Sequence, residues 1–412
     1  MNIPKNPYIA WLTCALFFLF QYALRVTPNV MMGDLRESFS VNADQYATLG
    51  SYYLYAYALA QLPLGFLVDR YGIRRITLLS LLACCGGLLL STIATAFYHL
   101  QLARILIGFG SGVAFMAALK LAADHFPEKT RGIFMGLTLT FGTVGALASG
   151  KPLVGILETH GWRDTFLYLT YGFIPLVLLA FFTLPSTKIP QQKNAFSTTI
   201  KTINGIFDNR YLLIYTVLAI GLYTPLSSLA DLWGTSFLMK KYGFSLSDAA
   251  LANTMMYLGM AIGSLILGAI FKCNHGVNRG IQLSGIGLLV VTAIILYGPS
   301  FSLIAMLGLL FTMGMFCGAE MLCFTGASFH TTKETSGITL GFVNTLNMLG
   351  GAILQQLIGI GLDYQWSGAL TKSGIRDYSI AEFITALSLL IIIIGVCVVL
   401  SGFLTKKPSQ QT

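Results

Sequence analysis

The chain has 412 residues, of which 55% are hydrophobic and only 10% charged, and its formal net charge is +9. A soluble protein of this size carries about a quarter charged residues, so this one cannot cover itself with polar side chains and needs a lipid bilayer as its solvent. The cations are spread over short loops rather than gathered in a patch, which excludes a nucleic-acid surface, and the seven cysteines show neither metal-ligand spacing nor a disulfide framework.

A helix that crosses a bilayer needs about 20 mainly apolar residues. Twelve such runs follow one another along the chain. The first, 8–30, is longer than the apolar core of a cleaved signal and lacks a small-residue cleavage site, so it is read as helix one. Arg25 interrupts it, and a guanidinium cannot shed its charge. Gln21 lies one turn earlier on the same face, and Pro28 frees a backbone carbonyl nearby. The run 45–67 places Tyr53, Tyr57 and Gln61 at i, i+4 and i+8, a polar stripe that suits the lining of a cavity for a small organic molecule. The runs 75–96, 100–122, 132–156 and 163–184 complete a first half. They carry Arg104 among close-packing glycines, Lys120 near one end, and Lys151 beside Pro152.

Residues 185–210 are polar and carry four cations, and they are read as a linker between a first bundle, 1–184, and a second, 211–412. The second half repeats the pattern in the runs 211–239, 248–271, 280–298, 301–325, 336–360 and 380–404. Asp231 follows Pro225 in the first of these, with Trp233 two residues on. Asn253 and Tyr257 share a helix face, Glu320 sits in "CGAEMLC", and Asn344 and Asn347 lie at i, i+3. His330 is read as a solvated residue at a helix end. Alternate loops differ in charge: Arg70, Arg74, Arg75, Lys129, Arg131 and the linker cations share one side with both termini, which the positive-inside rule makes cytoplasmic.

The stretch "GFLVDRYGIRR" at 65–75 resembles the signature loop of the major facilitator superfamily, between the second and third helices. In that likeness Gly65 allows close helix contact and Gly72 a tight turn, Asp69 pairs with a cation or a helix N-terminus, and Arg70, Arg74 and Arg75 hold the loop cytoplasmic. "RILIGFGSG" at 104–112, with Arg104, resembles the family's helix-four motif, and "PEKTRG" at 127–132 suits the loop that follows. The second half keeps a faint copy of the signature loop, "GAIFKCNHGVNR" at 268–279, without the acid. The resemblance implies an all-α fold, about twelve transmembrane helices in two pseudo-symmetric six-helix bundles, a monomer in a bacterial inner membrane, and no cofactor or metal. Helix five reads "GTVGALASGKPLVG" and lacks the Gly-Pro-x-x-Gly-Gly element of drug antiporters, which disfavours drug export. "YALRVTPNVM" and "SLADLWG" resemble a bacterial subgroup related to lysosomal dipeptide carriers.

A charge inside the membrane costs about 3 kcal/mol on insertion scales, so each one asks for a function. Four embedded cations, Arg25, Arg104, Lys120 and Lys151, lie in the first half, and two acids, Asp231 and Glu320, in the second. Arg25 either grips a substrate anion bidentately or pairs with an acid such as Asp231. Asp231 and Glu320 either carry protons or form structural ion pairs. Gln21, Tyr53, Tyr57, Gln61, Lys151, Trp233, Asn344 and Asn347 complete the expected substrate contacts. The expectation is a non-enzymatic, proton-coupled secondary transporter of a small organic anion or zwitterion, its two bundles rocking around a midplane site. Export of a metabolite, siderophore or drug, or uncoupled uniport, is the alternative, and a membrane-embedded transferase is the reading from another class.

Overall fold

The computed structural model describes residues 6–186, 205–272, 274–332 and 335–405; most of the expected linker, and the side chains of Gly65 and Asp69, lie outside the described residues. Apart from one isolated bridge between Leu370 and Arg376, the regular structure among the described residues is helical. The chain divides into two compact units, Met1–Gln192 and Lys193–Thr412.

The first unit contains α1 (Pro7–Phe39), α2 (Ala43–Tyr71), α3 (Ile73–Thr92), α4 (Phe97–Ser111), α5 (Ala114–His125), α6 (Glu128–Ala148) and α7 (Lys151–Thr183). The second contains α8 (Arg210–Pro225), a π-helical stretch (Leu226–Trp233), α9 (Gly234–Tyr242), α10 (Leu246–Ile270), α11 (Asn274–Tyr297), α12 (Leu303–Cys317), α13 (Glu320–Ser328), α14 (Ser336–Gln365) and α15 (Ile380–Thr405). Among the described residues ten stretches are long and apolar enough to cross a membrane. One of them, Lys129–Thr183, breaks at Gly161, whose φ of 77° lies outside any helix, and so holds two passes; α2 adds another, which makes twelve.

Several apolar runs that read as single helices are composite. The run 100–122 is α4 and α5 with a break at Gly112 and Val113, and 301–325 is α12 and α13 with a break at Gly318 and Ala319. These two breaks stand 206 residues apart, and so do the pairs Gly108 and Gly112 against Gly314 and Gly318. The coincidence is the internal repeat written in backbone geometry.

Lipid gives apolar helices no hydrophobic reason to associate, so close contact must come from small residues. In the second unit α10 and α12 present a G-x-x-x-G pair to each other: a Cβ on Gly259 would stand 2.0 Å from the Phe311 carbonyl, and one on Gly314 2.0 Å from that of Met256. In the first unit Gly108 brings α4 against the backbone of α2 at Tyr53, and Gly145 brings α6 against α1 at Leu19. These contacts fix the helices that carry the buried polar groups.

Candidate functional site

In the first unit the polar residues of α1 and α2 gather as the helical spacing implies. Gln21 Nε2 donates to the Tyr53 hydroxyl at 2.5 Å, and the rings of Tyr53 and Tyr57 stack with centroids 6.1 Å apart. Tyr57 in turn hydrogen-bonds Gln61, one turn further along. Arg25 is 5% exposed, its guanidinium lies 5.6 Å from the centre of the Tyr22 ring, and its charge reaches the hydroxyls of both Tyr53 and Tyr57. The Oε1 of Gln21 is buried and accepts no hydrogen bond. The result is a cation walled by tyrosine rings, with hydroxyl and amide groups able to donate and accept beside it. Tyr22 was absent from the expected set; its position three residues before Arg25 on the same helix was the available signal.

Arg104 has a different task. Pro28 has no N–H, so the carbonyl of Leu24 loses its helical partner. The Arg104 guanidinium supplies one: Nη1 donates to the Leu24 carbonyl at 2.7 Å, Nε to the Leu49 carbonyl at 2.6 Å, and Nη2 to the Arg25 carbonyl at 3.4 Å. The same guanidinium lies 4.5 Å from the centre of the Tyr53 ring. Arg104 therefore ties α4 to α1 and α2 at the level of Arg25, beside the residues that surround it.

The remaining expected residues of this unit are more dispersed. Lys151 is the exposed first residue of α7, where the helix dipole disfavours a cation, and Lys120 is half-buried on α5. Gly72, with φ 85°, ends α2 and starts α3, a turn that needs glycine. Arg70 stacks on Tyr71, Arg74 lies 4.6 Å from the centre of the Phe181 ring, and Arg75 is exposed.

In the second unit the polar cluster is built on the π-helical stretch. Pro225 breaks the hydrogen-bond ladder, and the Thr224 hydroxyl caps the Gly221 carbonyl that Pro225 cannot serve. The next eight residues, LSSLADLW, continue with i→i+5 bonds. Polar side chains of α10 and α14 hold this stretch. The Gln355 amide on α14 donates to the Ser227 carbonyl at 2.6 Å, and the Trp233 indole N–H donates to the Gln355 backbone carbonyl at 3.2 Å. From α10, Asn253 donates to the carbonyls of Leu229 and Ala230 at 3.0 and 3.2 Å. Asp231, 3% exposed, accepts a hydrogen bond from the Tyr257 hydroxyl.

Glu320 opens α13 immediately after the Gly318–Ala319 break and is 2% exposed. The amide of Asn347 on α14 donates to it. Asn347, expected as a substrate contact, thus faces an acid, while Asn344 is half-buried one turn earlier. Trp233 is fully packed inside the unit, with its N–H engaged by Gln355. His330 is half-buried rather than solvated: its ring stacks on Tyr211 at 5.0 Å and leans on Tyr215 at 5.8 Å. Sequence reading missed Gln355 and Ser227; a glutamine pair inside the apolar run "AILQQLIG" was the only sign of the first.

Twelve apolar passes in two units, with charges buried among tyrosines and amides in each, are the build of an integral membrane transporter. The chain belongs to the Major Facilitator Superfamily, whose family model matches residues 12–355. It is 26% identical over 93% of its length to an uncharacterized transporter, YybO, of Bacillus subtilis, covering 92% of that protein. It is also 24% identical over 88% of its length to the cis,cis-muconate transport protein of Acinetobacter baylyi, covering 91% of it. Among solved structures it resembles a bacterial homolog of the human lysosomal transporter Spinster in an inward-facing, unoccupied conformation, with a TM-score of 0.77, 15% identity and 97% of each chain covered.

Proposed function

We propose that this protein is a secondary active transporter of a small organic anion or zwitterion, coupled to protons, in the inner membrane of a bacterium. The observation that carries the reading is Arg25, a permanent cation set deep among Tyr22, Tyr53, Tyr57 and Gln21. A planar guanidinium can grip a carboxylate through two parallel hydrogen bonds, and the tyrosine rings offer apolar walls for a carbon skeleton. The relative that transports cis,cis-muconate, an organic anion, supports the same substrate class.

Coupling rests on the acids of the second unit. Glu320, buried at a helix break with an amide for a partner, has the position of a proton carrier. Asp231, held by Tyr257, is the second acid in the pathway. No ATP-binding motif occurs in the sequence, so the driving force comes from gradients.

The test is uptake into liposomes that hold a pH-sensitive dye, challenged with pools of organic anions, amino acids and short peptides. Proton entry with one pool, lost in Glu320→Gln, and substrate entry lost in Arg25→Gln, are the expected results. Labelled substrate crossing without proton movement would remove the coupling and leave a uniporter or exchanger. Full uptake by Arg25→Gln would remove the anion hook.

A further inference from the structure

We infer that Gln355 and Asn253 are positioning residues for Asp231, holding the Leu226–Trp233 stretch in the π-helical register that turns its carboxylate onto Tyr257. The inference rests on the reading of Asp231 as an acid of the transport pathway, and it assigns roles to two amides that the proposed function does not use.

The geometry brackets the stretch from both sides. Gln355 engages both ends: its side chain takes the Ser227 carbonyl, and its backbone carbonyl takes the Trp233 indole. Asn253 engages the middle from another helix, through the carbonyls of Leu229 and Ala230. Both amides are buried, and in each the amide oxygen accepts nothing. A buried amide oxygen without a partner is unfavourable, so each amide stands there for its N–H end alone. The backbone makes room for this: a Cβ on Gly234 would lie 2.2 Å from Asn253 Oδ1 and 2.5 Å from the Leu229 carbonyl, so glycine there lets the amide approach the stretch, and Gly351 lets Ser227 pack against α14.

A π turn exchanges the i→i+4 bonds of an α-helix for i→i+5 bonds and is rare, and here outside amides take three carbonyls of the stretch, those of Ser227, Leu229 and Ala230. Remove those groups and the stretch relaxes toward the α register. Over the five residues between Leu226 and Asp231 that change rotates the side chain by roughly a quarter turn. Asp231 then leaves the Tyr257 hydroxyl.

Infrared difference spectroscopy of the purified full-length protein tests this without knowledge of the substrate. The Asp231 carboxylate band is the one that Asp231→Asn removes, and Tyr257→Phe defines where it lies once the hydroxyl is gone. In Gln355→Met, which keeps the volume and loses the amide, the band is expected at the Tyr257→Phe position. Asn253→Leu, which keeps the volume and loses the amide on a different helix, is expected to give the same displacement and stands in should Gln355→Met fail to fold. An Asp231 band unmoved in whichever of these variants folds, while Tyr257→Phe moves it, would overturn the inference. If Asp231→Asn leaves proton-driven uptake intact, the coupling role of Asp231 falls, and the band positions still decide whether the amides set its orientation.

Discussion

Replacing Arg104 by leucine removes three hydrogen bonds to backbone carbonyls of α1 and α2, two of them at 2.6 and 2.7 Å. The Leu24 carbonyl is then orphaned, because Pro28 cannot donate to it. Interhelical hydrogen bonds in membranes measure about 0.6–1.7 kcal/mol each, and a buried carbonyl left without a donor costs about 1–3 kcal/mol, so Arg104→Leu is expected to cost roughly 2–4 kcal/mol. For a unit of this size that is a fall of roughly 5–15 °C in apparent melting temperature. The sharper test is the background. Pro28→Ala restores an N–H four residues after Leu24, so the Leu24 carbonyl regains a partner within its own helix. In that background Arg104→Leu should cost about 1 kcal/mol less. Thermal denaturation in detergent, followed by the exposure of buried cysteines such as Cys14 and Cys84 to a thiol-reactive fluorophore, measures all four proteins. Equal losses with and without Pro28 would refute the idea that Arg104 answers the carbonyl freed by the proline.

Three further outcomes follow from the packing and the surface. Gly314→Ala places a methyl 2.0 Å from the Met256 carbonyl and should cost about 1–3 kcal/mol, whereas Gly308→Ala on the same helix meets nothing within 4 Å and should be neutral or raise the melting temperature slightly. Burial against Tyr211 and Tyr215 pushes the pKa of His330 below its ordinary value of 6.5. The unfolded chain therefore takes a proton first as the pH falls, so the stability His330 contributes is full above 6.5 and is lost as the pH drops through the lower, folded value; His330→Phe should flatten that part of the melting-temperature profile. Lys240 and Asp377 form an exposed ion pair at 2.8 Å, and Lys240→Ala should change stability by less than about 1 kcal/mol in melting experiments at physiological salt.

The passes and the Arg25 surroundings were legible because both rest on simple periodicities. Long apolar runs have one stable answer in lipid, and Gln21, Tyr53, Tyr57 and Gln61 at helical spacing can only line one face each. The breaks were less visible. Gly112 and Gly318 sit in runs rich in glycine, and composition does not say which glycine leaves the helix and which lets a neighbour approach, whereas Gly161 falls between the runs 132–156 and 163–184, where a break is expected. The π-helical stretch left no mark in the sequence beyond Pro225, since it lies in a run apolar on nearly every face, where a shift of register leaves no pattern to read; Gln355 and Asn253, which hold it, lie more than a hundred and about twenty residues away in the chain. The partner of Glu320 was hidden for the same reason. Asn347 reads as a polar position on a membrane helix, and only the folded backbone shows that it faces an acid.

The two helix breaks 206 residues apart also bear on ancestry. A discontinuity shared by both halves, glycine for glycine, is the mark that duplication of a single six-helix unit would leave. At the position where the second copy starts α13 with Glu320, the first copy starts α5 with Ala114. The matching kink holds an acid in one half and a methyl group in the other, so the halves differ in chemistry at a site where their backbones break alike.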